Sequence, residues 1–254
     1  MTRHHAGLVA VAIAAVSFST PIYAQQEAVT QEVADLRARA EVGVAEAQYQ
    51  LGQVYEGGRG IPGDLVLAVK WYRLAAEQGH PEAQYELGRR YNGGRNLPSD
   101  DEQAAFWYRR AAAQGHARAH QAIGNLYRTR RGVTGAPSEG DVWYRRAVEL
   151  YLLAAEQEDP DAAANLKFLY AVGWGVPRDD VESLRWARLA YEWFRRAADQ
   201  GDAEAQYQLG ELLSRSRDSD FEDREVEEVM WLRRAAEQGH TKAQVMLSFG
   251  GRQD

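Results

Sequence analysis

The chain repeats itself, and that repetition restricts its fold more than any other feature of its 254 residues. The string A-Q-Y-Q-L-G-Q-V-Y at residues 47–55 returns as A-Q-Y-E-L-G-R-R-Y at 83–91 and A-H-Q-A-I-G-N-L-Y at 119–127. It recurs as A-A-A-N-L-K-F-L-Y at 162–170 and A-Q-Y-Q-L-G-E-L-L at 205–213, with a truncated copy from Ala243. Successive copies begin 36, 36, 43, 43 and 38 residues apart. A second string alternates with the first: W-Y-R-L-A-A-E-Q-G from Trp71, W-Y-R-R-A-A-A-Q-G from Trp107, L-Y-L-L-A-A-E-Q-E from Leu150, W-F-R-R-A-A-D-Q-G from Trp193 and W-L-R-R-A-A-E-Q-G from Trp231. Self-similarity at such a period marks a stacked repeat architecture.

Each unit reads as two helices. In the first string Ala47, Leu51 and Tyr55 fall at i, i+4 and i+8, one apolar stripe of a helix. The turns G-G-R-G-I-P-G-D at 57–64, G-G-R-N-L-P-S-D at 93–100 and V-G-W-G-V-P-R-D at 172–179 supply glycine for left-handed backbone and a proline that stops the first helix. Asp64, Asp100 and Asp179 then stand where they can cap the second. Gly79, Gly115, Gly201 and Gly239 close that second helix, and Pro81 and Pro160 open the next, where a missing N–H costs nothing. Gly52 and the Ala75–Ala76 pair are small enough for neighbouring backbones to approach closely. A single helix pair cannot bury its stripe alone, so the units must stack. Residues from about 30 to 42 supply a lone second-type helix at the N-terminal end.

The two 43-residue steps carry seven extra residues each. The turn length appears unchanged in the sequence, so the surplus is assigned to the second-type helix, pairing Tyr144 with Tyr151 and Trp186 with Trp193. Seven residues approximate two turns and preserve the buried face. Long helices are therefore expected at about 141–157 and 179–200.

The layout A-x-A-Q-Y-x-L-G-x-x-Y…G-x-G-[IV]-P-x-D…A-x-x-W-Y-x-x-A-A-E-Q-G, over about 45–249, resembles the Sel-one-like repeat family, relatives of tetratricopeptide repeats with slightly longer units. The resemblance implies an all-α fold: a right-handed α-solenoid of about five helix-turn-helix repeats plus an N-terminal half-repeat and a truncated C-terminal repeat. It further implies an interaction scaffold, which in exported bacterial members serves envelope signalling, secretion, polysaccharide assembly or host contact. In the fourth unit Ala164 replaces Tyr and Lys167 replaces Gly, so looser helix packing is expected there.

Residues 1–24 read as a secretory signal. Arg3, His4 and His5 precede an apolar run over 7–19, Pro21 breaks it, and Ile22, Tyr23 and Ala24 form the cleavage region. The run is shorter than the ~20 residues needed to span a bilayer. The solenoid then occupies 25–254 of a periplasmic or secreted protein with no membrane span. The formal charge of −7 argues against nucleic acid as a partner. Zero cysteines exclude disulfides, thiolate zinc sites, cysteine nucleophiles and a lipidated N-terminal cysteine.

Signatures of catalysis are missing from the chain: there is no S-x-x-K, no G-x-S-x-G and no G-x-x-x-x-G-K. His116 and His120 have the i, i+4 spacing of a metal pair, yet Ala117 stands where a catalytic Glu would be. His80, His116 and His240 share one turn position, which favours a turn role. Asp100, Asp101, Asp179 and Asp180 read as helix-start residues. No enzymatic activity, cofactor or metal is expected.

In helix-pair solenoids the first-type helix lines the concave surface, and its open face follows i, i+3, i+7 and i+10. This places Tyr49, Gln53, Tyr85, Arg89, Asn92, Gln121, Asn125, Arg128, Phe168, Tyr207 and Glu211 as candidates for gripping a partner protein or peptide. Trp71, Trp107, Trp193 and Trp231 recur in phase and read as core, whereas Phe168 on a groove has no structural reason. Residues 89–146 carry 11 Arg against five acids, and acids cluster over 218–228. The alternative reading is therefore an anionic polysaccharide or peptidoglycan bound by the basic central repeats. A homodimer through the C-terminal end, around Leu247 and Phe249, is a further open reading.

Overall fold

The computed structural model describes residues 20–58, 61–93, 97–215 and 223–250, with side chains described from residue 31 to residue 248. Most of the expected signal segment, residues 1–19, lies outside them, as do Phe249's side chain and residues 218–222 of the acidic cluster. All regular structure among the described residues is helical. A leading helix, α1 (Thr20–Glu41), is followed by five hairpins: α2 (Ala45–Gly57) with α3 (Leu65–Glu77), α4 (Pro81–Gly93) with α5 (Asp101–Ala112), α6 (Ala117–Thr129) with α7 (Gly140–Ala155), α8 (Pro160–Val172) with α9 (Asp180–Asp199), and α10 (Ala203–Ser214) with α11 (Arg224–Glu237). Helix α12 (Thr241–Gly250) starts the next unit. Each first-type helix packs on its hairpin partner and on the second-type helix before it, which is the nearest-neighbour geometry of a solenoid.

The capping chemistry read from the sequence is in place. Asp64 accepts from the N–H groups of Val66 and Leu67 at 2.9 and 3.0 Å, and Asp100 from Gln103 at 2.9 Å. Asp179 does the same for Val181 and Glu182 at 2.9 and 3.0 Å. Gly79, Gly115, Gly201 and Gly239 take φ of 96°, 81°, 92° and 85°, backbone that an L side chain rarely adopts. The half-unit is longer than expected: α1 begins at Thr20 with Pro21 inside its first turn, where proline is compatible with a helix.

The seven-residue surplus is absorbed in two ways. Helix α9 takes all of it, 20 residues against 13 in α3, with Asp179 and Gln200 as its caps. Helix α7 takes only part, ending at 16 residues. The expectation of an unchanged turn is corrected here: Pro137 fixes a short 3-10 turn, Pro137–Glu139, before α7. In α7 Tyr144 and Tyr151 are both buried, at 1% and 4% exposure, so one helix presents two packing phases. In α9 Trp186 and Phe194 do likewise.

Small residues set how closely the helices cross. A methyl group at Gly52 would lie 2.7 Å from the Tyr72 ring, and at Gly88 2.6 Å from that of Tyr108. The fourth unit inverts this pair. Lys167 replaces the glycine, and the register of the second string puts Ala187 where Tyr72 and Tyr108 stand. The large side chain has changed helices and the crossing survives: Ala187 is buried at 1%, and Ser183 Oγ donates to the Lys167 carbonyl at 3.0 Å.

A line of amides joins the units, with Gln48, Gln84 and Gln206 buried. Gln48, Gln84, Gln206 and the exposed Gln244 donate through Nε2 to the carbonyls of Ala40, Ala76, Ala198 and Ala236 at 3.0–3.1 Å. Gln78, Gln114 and Gln238 in turn donate to the Oε1 atoms of Gln48, Gln84 and Gln206 at 2.7, 2.9 and 2.9 Å. His120 occupies the same register and its Nε2 lies 3.1 Å from the Ala112 carbonyl. Burial lowers the His120 pKa, against the pull of that carbonyl. In the fourth unit the position is Ala163 and the line is interrupted.

The superhelix brings its two ends together. Thr241 Oγ1, at the start of α12, donates to the Gly57 carbonyl at the end of α2, 3.1 Å away and 184 residues earlier.

Candidate protein-binding groove

The concave wall is built from the first-type helices, and at three junctions it carries one recurring cluster. His80, His116 and His240 precede α4, α6 and α12, each accepting through Nδ1 from the N–H three residues on, at 3.3, 3.1 and 3.2 Å. Their Nε2 atoms meet Glu46, Glu82 and Glu204 of the preceding unit at 2.8, 2.9 and 3.0 Å. Their rings stack on Tyr49, Tyr85 and Tyr207 with centroids 4.7, 4.7 and 4.5 Å apart. The shared turn position of the three histidines is thus structural. The hydrogen bond from His240 holds the Glu204 carboxyl down at about 2, and Glu82 is lowered against the effect of burial by His116 and Arg118.

This cluster changes the reading of three candidates. Tyr207 is buried at 7% exposure, so its ring is no open contact surface. Tyr49 and Tyr85 are half-buried under their histidines, and Gln53 donates to the Tyr49 hydroxyl at 2.8 Å. Burial raises the pKa of both tyrosines. Arg89 is exposed but paired with Glu86 at 3.0 Å. Asn92 bonds to Tyr108, and Asn125 accepts from the Tyr144 hydroxyl at 2.7 Å.

The remaining candidates converge on the middle of the wall. Phe168, 40% exposed, packs edge-on against Trp174 at 5.3 Å, and the Arg128 guanidinium lies 4.1 Å from the centroid of the same indole. Phe168 therefore has a structural partner, which corrects the expectation that it had none. Gln121, Phe168 and Glu211 line one cavity of about 640 Å³ together with Ala164, Leu184 and Phe194. Tyr49, Gln53, Tyr85, Arg89 and Asn92 do not reach it.

The cavity has a cause in the sequence. At the third and fourth units Tyr is replaced by Gln121 and Ala164, and the stacking histidine by Asp159 and Asp202. Two consecutive junctions lose their ring stack. Helix α9 packs against both α8 and α10, and its Leu184, Ala187 and Phe194 line the cavity. Trp174, Leu184 and Phe194 were not singled out in the sequence; the G-W-G turn and the doubled phase were the available signals.

Part of the basic middle is ion-paired. Arg90 pairs with Glu56, Arg118 with Glu82 at 3.4 Å, Arg131 with Asp101 at 2.7 Å and Arg146 with Glu149 at 2.7 Å. Among the described residues no group of three or more His, Asp or Glu is arranged to hold a metal ion, and no helix is long and apolar enough to cross a membrane.

Stacked helical hairpins with a continuous concave wall define a repeat α-solenoid. Residues 45–80, 81–116, 122–159, 160–192, 187–202, 203–224 and 229–240 each match the Sel1 repeat, and the chain belongs to the Sel1 repeat family, whose right-handed solenoid commonly serves as a protein-interaction scaffold. The overlap of the fourth and fifth matches falls within α9, where the second packing phase begins. A Sel1 repeat protein from Klebsiella pneumoniae is similar over 85% of this chain and 97% of its own, at 21% identity and a TM-score of 0.51. A Sel1 repeat protein from Oxalobacter formigenes is 30% identical over 80% of this chain and 76% of its own, with a TM-score of 0.44. A protective antigen of uropathogenic Escherichia coli with an SLR fold is 27% identical over 85% of this chain, at a TM-score of 0.43; the match spans 66% of that protein, just under two thirds of its length. Comparison with curated proteins finds no match.

Proposed function

We propose that the protein is an exported, non-enzymatic scaffold that holds an extended segment of a partner protein in its concave groove, in envelope signalling, secretion or host contact. The observation that carries this reading is the cavity in the middle of the wall, where apolar side chains stand open beside hydrogen-bonding groups such as Gln121, the composition of a recognition surface. Location in the periplasm or outside the cell rests on the polar, apolar, small-residue order of residues 1–24. Several of the arginines that suggested an anionic glycan, Arg118, Arg131 and Arg146 among them, are held by carboxylates of the same chain, which favours the groove reading.

The test is capture of the partner from an envelope extract by the wild-type protein and by an Arg89→Glu, Phe168→Ala variant, with the partner identified and rebound as a purified protein. Loss of rebinding by a folded double variant is expected; unchanged rebinding would remove the groove from the account. N-terminal sequencing of the exported protein is expected to begin at Gln25.

A further inference from the structure

The central cavity combines a shape, an apolar floor and an unmatched charge. Its floor is Ala164, Leu184, Ala187 and Phe194, with Phe168 at its side. Most charges at its rim are answered within the chain. Glu211 and Arg215 pair at 2.6 Å, Asp180 pairs with Arg178 at 3.1 Å, and Lys167 is likewise engaged.

Asp161 differs. It has no ion pair within 4 Å among the described residues. The carboxylates that act on it are Asp159, Glu204 and Glu211, against a single opposing cation, Arg118, which lies 3.4 Å from Glu82. Asp161 is exposed, yet it is pushed above its ordinary carboxyl value, first by lost hydration beside the groove wall and then by those acids. A carboxylate in this position favours a cation brought by something else.

We propose that this cavity is the specificity pocket of the groove, and that it takes a basic residue next to a bulky apolar one from the partner's extended segment. The Lys or Arg head meets Asp161, and the apolar side chain enters over Ala164 against Phe168 and Leu184. This rests on the groove reading above and adds the chemistry of the bound segment. Charge complementarity selects this occupant over an acidic one, since an acidic side chain would meet Asp161, with Glu211 also in the lining. In the first, second and fifth units the equivalent site is filled by the stacked ring of Tyr49, Tyr85 or Tyr207.

The experiment is selection from a displayed random-peptide library on the full-length protein. Wild type, Asp161→Asn and Ala164→Tyr are compared, with folding checked by circular dichroism. Ala164→Tyr places in the pocket the side chain that three other units carry there, so the fold accommodates it. Wild type is expected to enrich peptides with Arg or Lys beside an aromatic or large aliphatic residue. Their affinity is expected to fall about tenfold or more with Asp161→Asn, as for loss of a hydrogen bond to a charged group, and to decline with added salt. Ala164→Tyr is expected to abolish enrichment. Enrichment of acidic peptides, or of the same peptides by wild type and Ala164→Tyr, would overturn the pocket. If selected peptides depend instead on Arg89, the groove reading stands without this pocket. If no protein enriches any peptide, both readings fall.

Discussion

The imidazole of His116 lies flat on the ring of Tyr85, 4.7 Å between centroids and 24° between planes, although Tyr85 belongs to α4 and His116 to the turn before α6. The stack places His116 Nε2 on Glu82 and lets Nδ1 receive the N–H of Ala119 in the first turn of α6. One side chain thus caps a helix, meets a carboxylate and covers a ring. The same group recurs at His80 and His240, and in two of the three clusters the carboxylate, Glu82 or Glu204, is held below its ordinary value.

The sign of the acid response follows from Glu204. Its carboxyl is held at about 2, below its ordinary value of 4.5, so its contribution to stability is fully present above that ordinary value and is lost as pH falls toward 2. Thermal melts across this window are expected to show a falling midpoint for wild type and a shallower fall for Glu204→Gln. Parallel curves would show that the His240 contact has no part in stability.

Breaking the amide line at Gln84 is costly because that side chain is buried. Gln84→Ala leaves the Ala76 carbonyl and the Gln114 side chain each short of a partner. A loss of about 1–3 kcal/mol in urea unfolding is expected. Gln53→Ala, at an exposed position, is the control and should change stability by less than about 0.5 kcal/mol.

Gly88→Ala drives a methyl group to 2.6 Å from the Tyr108 ring, which cannot move without displacing its own helix. A loss of about 1–3 kcal/mol is expected. Repeating the substitution with Tyr108→Ala tests whether the inverted arrangement at Lys167 and Ala187 is transferable; recovery of part of the loss is the expected outcome.

The contact between Thr241 and Gly57 fixes the distance between the ends of the stack. The chain has no cysteine, so paired labels can be placed at Val66 and Val245, which are 69% and 52% exposed. Energy transfer between them is expected to be high in the wild type and to drop when residues 81–116 are deleted as a unit. Thr241→Val alone removes one exposed hydrogen bond and should cost less than about 1 kcal/mol.

Much of the architecture was legible because the residues that form it act locally. Asp64, Asp100 and Asp179 cap helices two or three residues away, and the turn glycines need only their own backbone conformation, so pattern alone located them. The doubled phase in α9 was legible for the same reason, as period 3.6 nearly divides seven. What failed depended on partners remote in sequence. Tyr85 looked like an open groove residue because its cover, His116, arrives from the following repeat. Phe168 looked unsupported because Trp174 sits in a turn. The extra residues before α7 were assigned to the helix because nothing local distinguishes Pro137 opening a 3-10 turn from Pro137 opening the helix itself. The candidate cavity was legible only in part: Ala164 was noted as a departure, but its effect depends on rings missing from two adjacent units.

The substitution of Ala164 for tyrosine carries a lesson about how such a chain acquires specificity. Three junctions are closed by the same trio, and an inner wall closed that way throughout would be alike along its length and would select nothing. Here distinction arises by subtraction: two consecutive rings omitted, one glycine exchanged with its opposite number, and one compartment becomes unlike its neighbours. A protein of this construction could change its preference by moving the omission from one unit to another, with the scaffold between them left as it is.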